Sequence, residues 1–300
     1  MKTGLVATIG KFQIWNAMQD WFALDGGVLF GGIPKSVWEK LPGLHFVKCA
    51  NMVPLPINTF LIRTPTKNIL VDTSCGDMNR WSEGTRKQFR MRQSEPVDES
   101  LIVRGLWRRD VHAVIHTHLH FDHAGGDVHF EDGKLAPAFP RALYIMNKGE
   151  LDQATSVHSK TRSSYRRETV LGLQVLRDLR LTREFNQTSM PLYWMMQVEP
   201  GITLVATPGH TEHHFSILIE DEGETAFIAG ALITTRWHTH PAFSIGNDTH
   251  PYDGADCKVE YLNKAVEGKW LVLLEHDTEV AGHIVSDENM QYRFVPIAQG

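Results

Sequence analysis

The sequence contains few cysteines, no long apolar run and little net charge. Its three cysteines form no C-x-x-C pair, which argues against a disulfide framework and a thiolate zinc knuckle and favours a reducing compartment. No stretch approaches the roughly 18 to 20 uninterrupted apolar residues of a membrane-spanning helix, so we expect a cytoplasmic protein without a membrane partner. The formal charge of −5 is too small, and of the wrong sign, to predict a nucleic-acid partner.

No internal repeat and no linker-like tract interrupts the chain, so we predict a single domain over residues 1–300. Apolar residues at 42% and charged residues at 22% are typical of globular proteins. Short apolar runs alternate with helical patterns in both halves, which predicts an α/β fold of layers in which two sheets share one core. The longest helical stretch begins at Lys148, and we predict a helical insertion at about 148–195.

Histidine is the outlier of the composition, because 12 of the 16 histidines fall within His112–His129 and His210–His250. The apolar run Val111–Thr117 predicts a buried strand, and it leads directly into the segment HLHFDHAGG, whose glycines prevent a regular continuation. Side chains at i and i+2 of an extended segment point the same way, so His118 and His120 can bind one ion. The turn that follows directs Asp122 and His123 towards a second ion.

A catalytic zinc ion typically takes three protein ligands and leaves one position for water, so each ion needs one more ligand. Two histidines that follow later predicted strands are the candidates: His210 after Ile202–Ala206, and His276 after Trp270–Glu275. We therefore expect two Zn²⁺ ions, with other divalent transition metals as alternatives. The predicted ligand sets are His118, His120 and His210 for one ion, and Asp122, His123 and His276 for the other.

At this point the chain resembles the metallo-β-lactamase-fold hydrolases. The resemblance is carried in order by ILVDTSCGD at Ile69–Asp77, THLHFDHAGG at Thr117–Gly126, TPGH at Thr207–His210 and EHD at Glu275–Asp277. The segment DGGVLFGGIPKSVWEK at Asp25–Lys40 is similar to the YtnP-like quorum-quenching N-acyl homoserine lactonases, a branch that neighbours methyl parathion hydrolase. The resemblance implies an αββα sandwich, with two mixed sheets face to face, helices outside and a dinuclear zinc site at one edge of the sheets.

One position departs from the family pattern. Members usually carry Gly-Asp or Ala-Asp after the strand that corresponds to Thr225–Ala229, and that aspartate bridges both metals, whereas this chain has Ala231 there. Alanine has no donor atom, so the bridging carboxylate is lost. Three explanations stay open: a natural variant that tolerates the loss, a deliberately inactivated chain, and a weakened second metal site.

Further site residues are predicted around these motifs. By resemblance to the family, His214 and Asp72 are expected to orient the ligands through hydrogen bonds, and an ordinary turn or cap aspartate is the alternative for Asp72. His116 fits an ordinary strand position and is left out of the ligand sets. No tyrosine follows Ala231 where the lactonases place one for the substrate carbonyl; Thr234 stands near that position. The residues expected to line an apolar substrate pocket are Phe30, Ile33, Thr234, Trp237, His238, His240 and Phe243.

We expect a zinc-dependent hydrolase that opens a lactone ring, with an N-acyl homoserine lactone as substrate. A metal-activated hydroxide attacks the carbonyl, and the leaving alkoxide takes its proton from Asp122 or from water. The alternatives are an organophosphate, aryl ester or β-lactam hydrolase, and, from another class, a catalytically silent protein that binds metal and ligand. The sequence does not fix the oligomeric state, for which a homodimer is one option.

Overall fold

The computed structural model describes residues 4–93, 97–156, 158–185, 194–288 and 291–297. The chain divides into two compact units. The first comprises Met1–Trp21 with Ile57–Ser189, and the second comprises Phe22–Pro56 with Met190–Gly300. Within the described residues, no helix is both long enough and apolar enough to cross a membrane.

The first unit holds most of an eight-stranded mixed sheet, in the order β1-β2-β3-β4-β6-β9-β10 with β5 paired to β2, and the hairpin β7-β8. The far ends of β2 and β3 belong to the second unit. The strands are β1 Leu5–Ile9, β2 Phe12–Asp25, β3 Met52–Arg63, β4 Asn68–Val71, β5 Arg92–Gln93, β6 Ala113–Ile115, β7 Val128–Glu131, β8 Lys134–Pro137, β9 Leu143–Asn147 and β10 Thr182–Phe185.

The second unit is built on a seven-stranded mixed sheet in the order β11-β12-β13-β14-β15-β16-β17. Its strands are β11 Met195–Glu199, β12 Ile202–Ala206, β13 Phe215–Asp221, β14 Glu224–Ile228, β15 Leu271–Leu273, β16 Ala281–Ser286 and β17 Tyr292–Pro296. The α-helices of the described chain are α1 Gly26–Leu29, α2 Lys35–Trp38, α3 Glu83–Phe89, α4 Val97–Ile102, α5 Phe121–Ala124, α6 Lys148–Thr155, α7 Arg167–Asp178 and α8 Pro251–Glu267.

Each unit has a core under its sheet. In the first unit, Leu70, Val114 and Tyr144 from three neighbouring strands pack with Leu173 and Leu176 of α7. In the second unit, α8 packs on the sheet through Tyr261 and Leu262, and the Tyr261 ring stacks on Phe227 with centroids 5.4 Å apart. Burial of these large side chains is the main favourable contribution to the stability of each unit.

Parallel neighbours bring several strand ends to one edge in each unit. In the first unit, β4 runs parallel to β6, and β6 runs parallel to β9. In the second unit, β14 runs parallel to β15, and β12 has the same direction because β13 is antiparallel to both. Carboxyl ends of co-oriented strands meet at one edge of a sheet, which is where α/β proteins hold ligands.

The predicted α/β class and the metal-site strands are confirmed, with small shifts of their ends. The strand predicted at Thr225–Ala229 is β14, and the strand predicted at Trp270–Glu275 is the shorter β15. The range 148–195 contains α6 and α7 but also β10, and residues 157 and 186–193 of it lie outside the described residues. The single domain and the helical insertion therefore stay predictions.

Candidate metal centre

The histidine-rich loop of the first unit begins at the carboxyl end of β6. His118, His120, Asp122 and His123 are all buried, and the short helix α5 turns the chain so that Asp122 and His123 follow the extended His120. His123 Nε2 lies 3.7 Å from Asp122 Oδ2. The loop therefore gathers the four ligand-type side chains that the sequence analysis predicted from it.

Two imidazole nitrogens of this loop face one another. His118 Nε2 lies 3.1 Å from His120 Nδ1, and the two ring centroids are 4.5 Å apart. Nitrogens bound at about 2.0–2.1 Å to one tetrahedral zinc ion lie about 3.3 Å apart. The spacing thus fits a pair of ligands on one divalent transition metal, and imidazole is a donor that zinc, copper, iron and nickel accept.

Asp72 contacts Thr117, just before the histidine-rich loop, and His123 within it. Its carboxylate accepts hydrogen bonds from the Thr117 N–H at 2.9 Å and from the Thr117 hydroxyl at 2.7 Å, and it lies 2.8 Å from His123 Nδ1. Burial would raise the pKa of Asp72, but His123 and His116 outweigh burial and hold that pKa well below its usual range. Asp72 thereby assigns the His123 proton to Nδ1 and the lone pair to Nε2, the arrangement that metal-binding histidines require.

A buried pair behind Asp72 was missed from the sequence. His116 Nδ1 lies 3.3 Å from Asp72 Oδ1, and His116 Nε2 lies 3.1 Å from Asp127 Oδ1. Burial alone would lower the pKa of His116, but Asp127 and Asp72 outweigh it and raise the pKa to about 10. His116 is therefore a cation between two carboxylates, and the only signal in the sequence was its alternation with His118.

The glycines after the histidine-rich loop, His118–His123, allow two backbone segments to come into contact. A Cβ atom on Gly126 would lie 2.1 Å from the carbonyl oxygen of Thr73, and the Thr73 N–H donates to the His123 carbonyl at 2.7 Å. Asp72 and Ser74 both have φ near +60°, a left-handed conformation that is costly for residues other than glycine. Close backbone contact thus holds a strained turn against the ligand loop.

Replacing Gly126 with alanine is expected to lower the free energy of unfolding by about 1–3 kcal/mol, because the new methyl group must displace the Thr73 backbone. Urea unfolding of both chains measures this loss. Gly84→Ala in α3 is the matched control, since its Cβ would meet only Ser82 Oγ at 3.9 Å and alanine favours a helix. A Gly126→Ala chain as stable as the control would contradict the close approach.

In the second unit, His210 is oriented by a carboxylate. It follows β12, and its Nδ1 lies 2.7 Å from Asp248 Oδ1. Burial would raise the pKa of Asp248, but the hydrogen bond with His210 and the His210 charge outweigh it and lower that pKa. A carboxylate that accepts the Nδ1 proton leaves Nε2 as the coordinating nitrogen, as in the carboxylate–histidine–zinc arrangement. Asp248 lies 38 residues from His210 and was not predicted.

His276 is oriented by the backbone. It follows β15, and its Nδ1 donates to the carbonyl oxygen of Pro56 at 3.0 Å, which leaves the lone pair on Nε2. The edge of its ring packs against Phe22, with centroids 5.3 Å apart. Both second-unit histidines that were predicted as ligands thus hold the tautomer that metal binding needs.

His214 supports the position where the bridging aspartate is lost. Its Nδ1 lies 2.8 Å from Thr207 Oγ1, and its Nε2 accepts a hydrogen bond from the Ala231 N–H at 3.0 Å. Ala231 is buried in the 3-10 helix Gly230–Ile233, directly after β14. The backbone of this position is therefore fixed, although its side chain is a methyl group.

The predicted pocket residues fall into different environments within the second unit. Phe30 is fully buried and stacks on His238 and on Trp38, with ring centroids 5.6 and 5.2 Å apart. Trp237 is half-buried and donates its Nε1–H to the Pro42 carbonyl at 3.0 Å. The rest are Ile33, half-buried; Thr234, buried after Ile233; His240, exposed; and Phe243, half-buried, whose ring centroid lies 5.1 Å from that of His240.

His238 is expected to make the second unit less stable in acid. Burial, then the Lys258 charge, lowers the pKa of His238 to about 3, although the Leu29 carbonyl and Asp248 act the other way. Because the unfolded histidine titrates near 6.5, the unfolded chain binds a proton that the folded chain refuses between these values. The free energy of unfolding should therefore fall as the pH drops from about 6.5 towards 3, by up to about 1.4 kcal/mol per unit from this group.

Urea unfolding of wild type and His238→Gln at pH 7 and pH 5 tests this expectation. Glutamine cannot be protonated, so the variant should lose less stability between the two pH values than the wild type does. Equal losses in both chains would contradict a neutral buried imidazole at this position.

In this mixed α/β fold, buried histidines oriented by a carboxylate and a carbonyl stand at the carboxyl ends of strands, which is the arrangement of a metal centre. Residues 52–276 match the family model of the metallo-beta-lactamase superfamily. The chain belongs to this superfamily.

Relatives and solved structures agree with this assignment. A Bacillus cereus N-acyl homoserine lactonase is 27% identical over 79% of this chain and 85% of its own length. A Bacillus thuringiensis N-acyl homoserine lactonase is 30% identical over 76% of this chain and 84% of its own. Among structures, a probable metal-dependent hydrolase from Staphylococcus aureus superposes with a TM-score of 0.80 at 22% identity, covering 98% of this chain and all of that one. The dizinc quorum-quenching lactonase AidC superposes with a TM-score of 0.74 at 17% identity, covering 99% of both chains.

Proposed function

We propose that this protein is a zinc-dependent lactonase whose substrates are N-acyl homoserine lactones. The observation that carries the proposal is the buried pair of imidazole nitrogens, 3.1 Å apart, in the loop after β6. The lactone part is supported by the names of the Bacillus relatives, which are matched over more than four fifths of their length. Those names describe the relatives, so the substrate of this chain is a proposal.

The proposal keeps the two ligand sets that the sequence predicts. The first unit offers His118 and His120 as one pair, and Asp122 and His123 as another, and a catalytic zinc ion usually takes three protein ligands. His210 is proposed to complete the first set and His276 the second, because each follows a strand of the second unit and each carries its proton on Nδ1. Asp72 orients His123 and Asp248 orients His210, while His214 holds the backbone at Ala231.

Bound zinc would supply Lewis acidity, which polarises the lactone carbonyl and makes water a nucleophile near neutral pH. As the water oxygen forms a bond to the carbonyl carbon, one water proton passes to Asp122 or to solvent, the ring C–O bond breaks, and the new carboxylic acid releases its proton to solvent. The alkoxide oxygen that leaves takes a proton from Asp122 or from water, so the product is an N-acyl homoserine with a free carboxylate. The proposed pocket for the acyl chain comprises Phe30, Ile33, Thr234, Trp237, His238, His240 and Phe243.

Metal analysis and substrate comparison test the proposal together. We expect purified protein to carry divalent transition metal, up to two equivalents per chain, and to hydrolyse an N-acyl homoserine lactone faster than a paraoxon-type triester, an aryl ester or a cephalosporin. Protein without bound transition metal would refute the metal centre. Fastest turnover of one of the other three substrates would refute the lactonase and favour that hydrolase instead.

Ala231 favours a second candidate, a protein that binds metal and ligand without turnover. It removes the carboxylate expected to bridge the two ions, while the backbone around it stays fixed by His214. Weak or absent turnover with tight lactone binding would support this candidate. The cytoplasmic location, the absence of nucleic-acid and membrane partners, and a homodimer stay predictions.

A further inference from the structure

Glu150 is a buried carboxylate, just after the end of a neighbouring strand, that contacts the histidine-rich loop. Glu150 lies in the first turn of α6, directly after β9, and β9 runs parallel to β6. Its Oε2 atom accepts a hydrogen bond from the Leu119 N–H at 3.2 Å and another from the Tyr165 hydroxyl at 2.9 Å. Glu150 is 1% exposed, so these contacts lie inside the first unit. The helix amino terminus favours the negative charge there.

Two hydrogen bonds fix the backbone on the two sides of His120. Leu119 is the residue between His118 and His120, so the hydrogen bond to Glu150 holds the peptide that joins the paired imidazoles. On the other side, the Phe121 N–H donates to the Ser164 carbonyl at 3.0 Å. The segment that contains Ser164 also supplies Tyr165.

Tyr165 contacts the His120 ring itself. The two ring centroids lie 4.7 Å apart at an interplanar angle of 69°, an edge-to-face arrangement that restricts rotation of the imidazole. The Tyr165 hydroxyl donates to Glu150 Oε2, so the far end of this ring is also held. Glu150 therefore also fixes the ring that packs against His120.

We propose that Glu150 and Tyr165 are positioning residues that set the orientation of His120 for metal binding, an inference that rests on the proposed metal centre. Glu150 fixes the backbone before His120 and the hydroxyl of Tyr165, and the Tyr165 ring fixes the plane of the imidazole. Neither residue belongs to the proposed ligand sets. Groups that orient metal ligands from behind typically change metal affinity by about 10–100-fold when they are removed.

Titration of the metal-free full chain with Co²⁺ tests the proposal, because the visible absorption of bound Co²⁺ reports the geometry of its ligands. We expect Glu150→Ala to weaken Co²⁺ binding by about 10–100-fold and to change the spectrum. Glu150→Gln keeps the shape and an acceptor for the Leu119 N–H, so it should recover most of the affinity. Tyr165→Phe keeps the ring and loses the hydroxyl, so its loss should stay below about 10-fold.

Asp152→Ala is the matched control, since Asp152 lies on the same helix in an exposed pair with Lys148; it should leave Co²⁺ binding unchanged. If Glu150→Ala lowers the melting temperature of the metal-free chain but keeps the wild-type affinity and spectrum, Glu150 is only structural and the inference fails. Should Glu150→Ala not fold, Tyr165→Leu decides, because it removes the aromatic ring that packs on His120: a wild-type spectrum and affinity in that chain overturn the inference. A wild-type chain that binds Co²⁺ but opens no lactone contradicts the proposed function alone.

Discussion

Replacing His118 by alanine is expected to lower kcat/KM for an N-acyl homoserine lactone by at least about 100-fold, beyond the usual effect of losing a group that only orients a ligand. His118 Nε2 faces His120 Nδ1 at 3.1 Å, so its loss leaves a single imidazole from this pair. The substitution also removes the hydrogen-bond contact of Thr117 Oγ1 with His118 Nδ1, 3.1 Å away. Steady-state kinetics and metal content of the same preparation measure the effect, and the metal content should fall with the activity.

His112→Ala is the control for this prediction. His112 is exposed and lies just before β6, so it shares the segment but none of the contacts of the ligand loop, and its Nδ1 accepts only from the Asn68 N–H at 3.1 Å among the bonds described for its ring. We expect kinetics and metal content close to wild type. A His118→Ala chain that keeps more than a tenth of the wild-type kcat/KM would show that the proposed metal centre at His118 does not carry the reaction.

The spacing of neighbouring residues made the histidine-rich loop predictable. His118 and His120 stand two residues apart in an extended segment, and a spacing of two places side chains on one side whatever the rest of the fold does. The strands β6 and β12, which precede His118 and His210, were also predictable. Each is a short run of β-branched and apolar residues next to turn-forming residues. Sequence pattern therefore fixes which residues follow which strand ends.

Long-range partners could not be read from such patterns. Asp248 orients His210 across 38 residues, and Glu150 holds Leu119 across 31. In the sequence, Asp248 and Glu150 look like ordinary surface acids, because nothing in their spacing from His210 and Leu119 signals a contact. Each contact exists only after the loop around Asp248, or α6, has packed. The groups that orient metal ligands are thus harder to predict than the ligands themselves.

Four strands near the two ends of the described chain were missed for a related reason. β1, β2, β16 and β17 carry mixed apolar and polar residues, so their periodicity is weak, and β1 and β17 lie at sheet edges. Helix α8 begins at Pro251, ahead of the helical pattern that the sequence carries over Asp256–Glu267. Proline is favoured at the first helical position because its missing N–H needs no partner there.

Position 231 combines a predictable backbone with an unexpected side chain. The Ala231 N–H donates to His214 Nε2 at 3.0 Å, and the Thr234 hydroxyl donates to the Ala231 carbonyl at 3.3 Å. His214 is itself held by Thr207, so the 3-10 helix after β14 is fixed without any contribution from a side chain at this position. A carboxylate introduced here would therefore be presented by a backbone that does not depend on it.

Ala231→Asp is expected to raise both the affinity for a second metal ion and kcat/KM for the lactone, each by at least about 10-fold, because an added carboxylate is a ligand that stabilises a second cation. Without metal the same change should lower the free energy of unfolding by about 1–3 kcal/mol, since it buries a charge, and added zinc should restore the stability. Ala231→Asn has nearly the same shape without the charge, and it should raise neither quantity. A gain with aspartate alone would identify Ala231 as the cause of a weakened second site, whereas an inert Ala231→Asp chain that binds two ions would favour the silent binding protein.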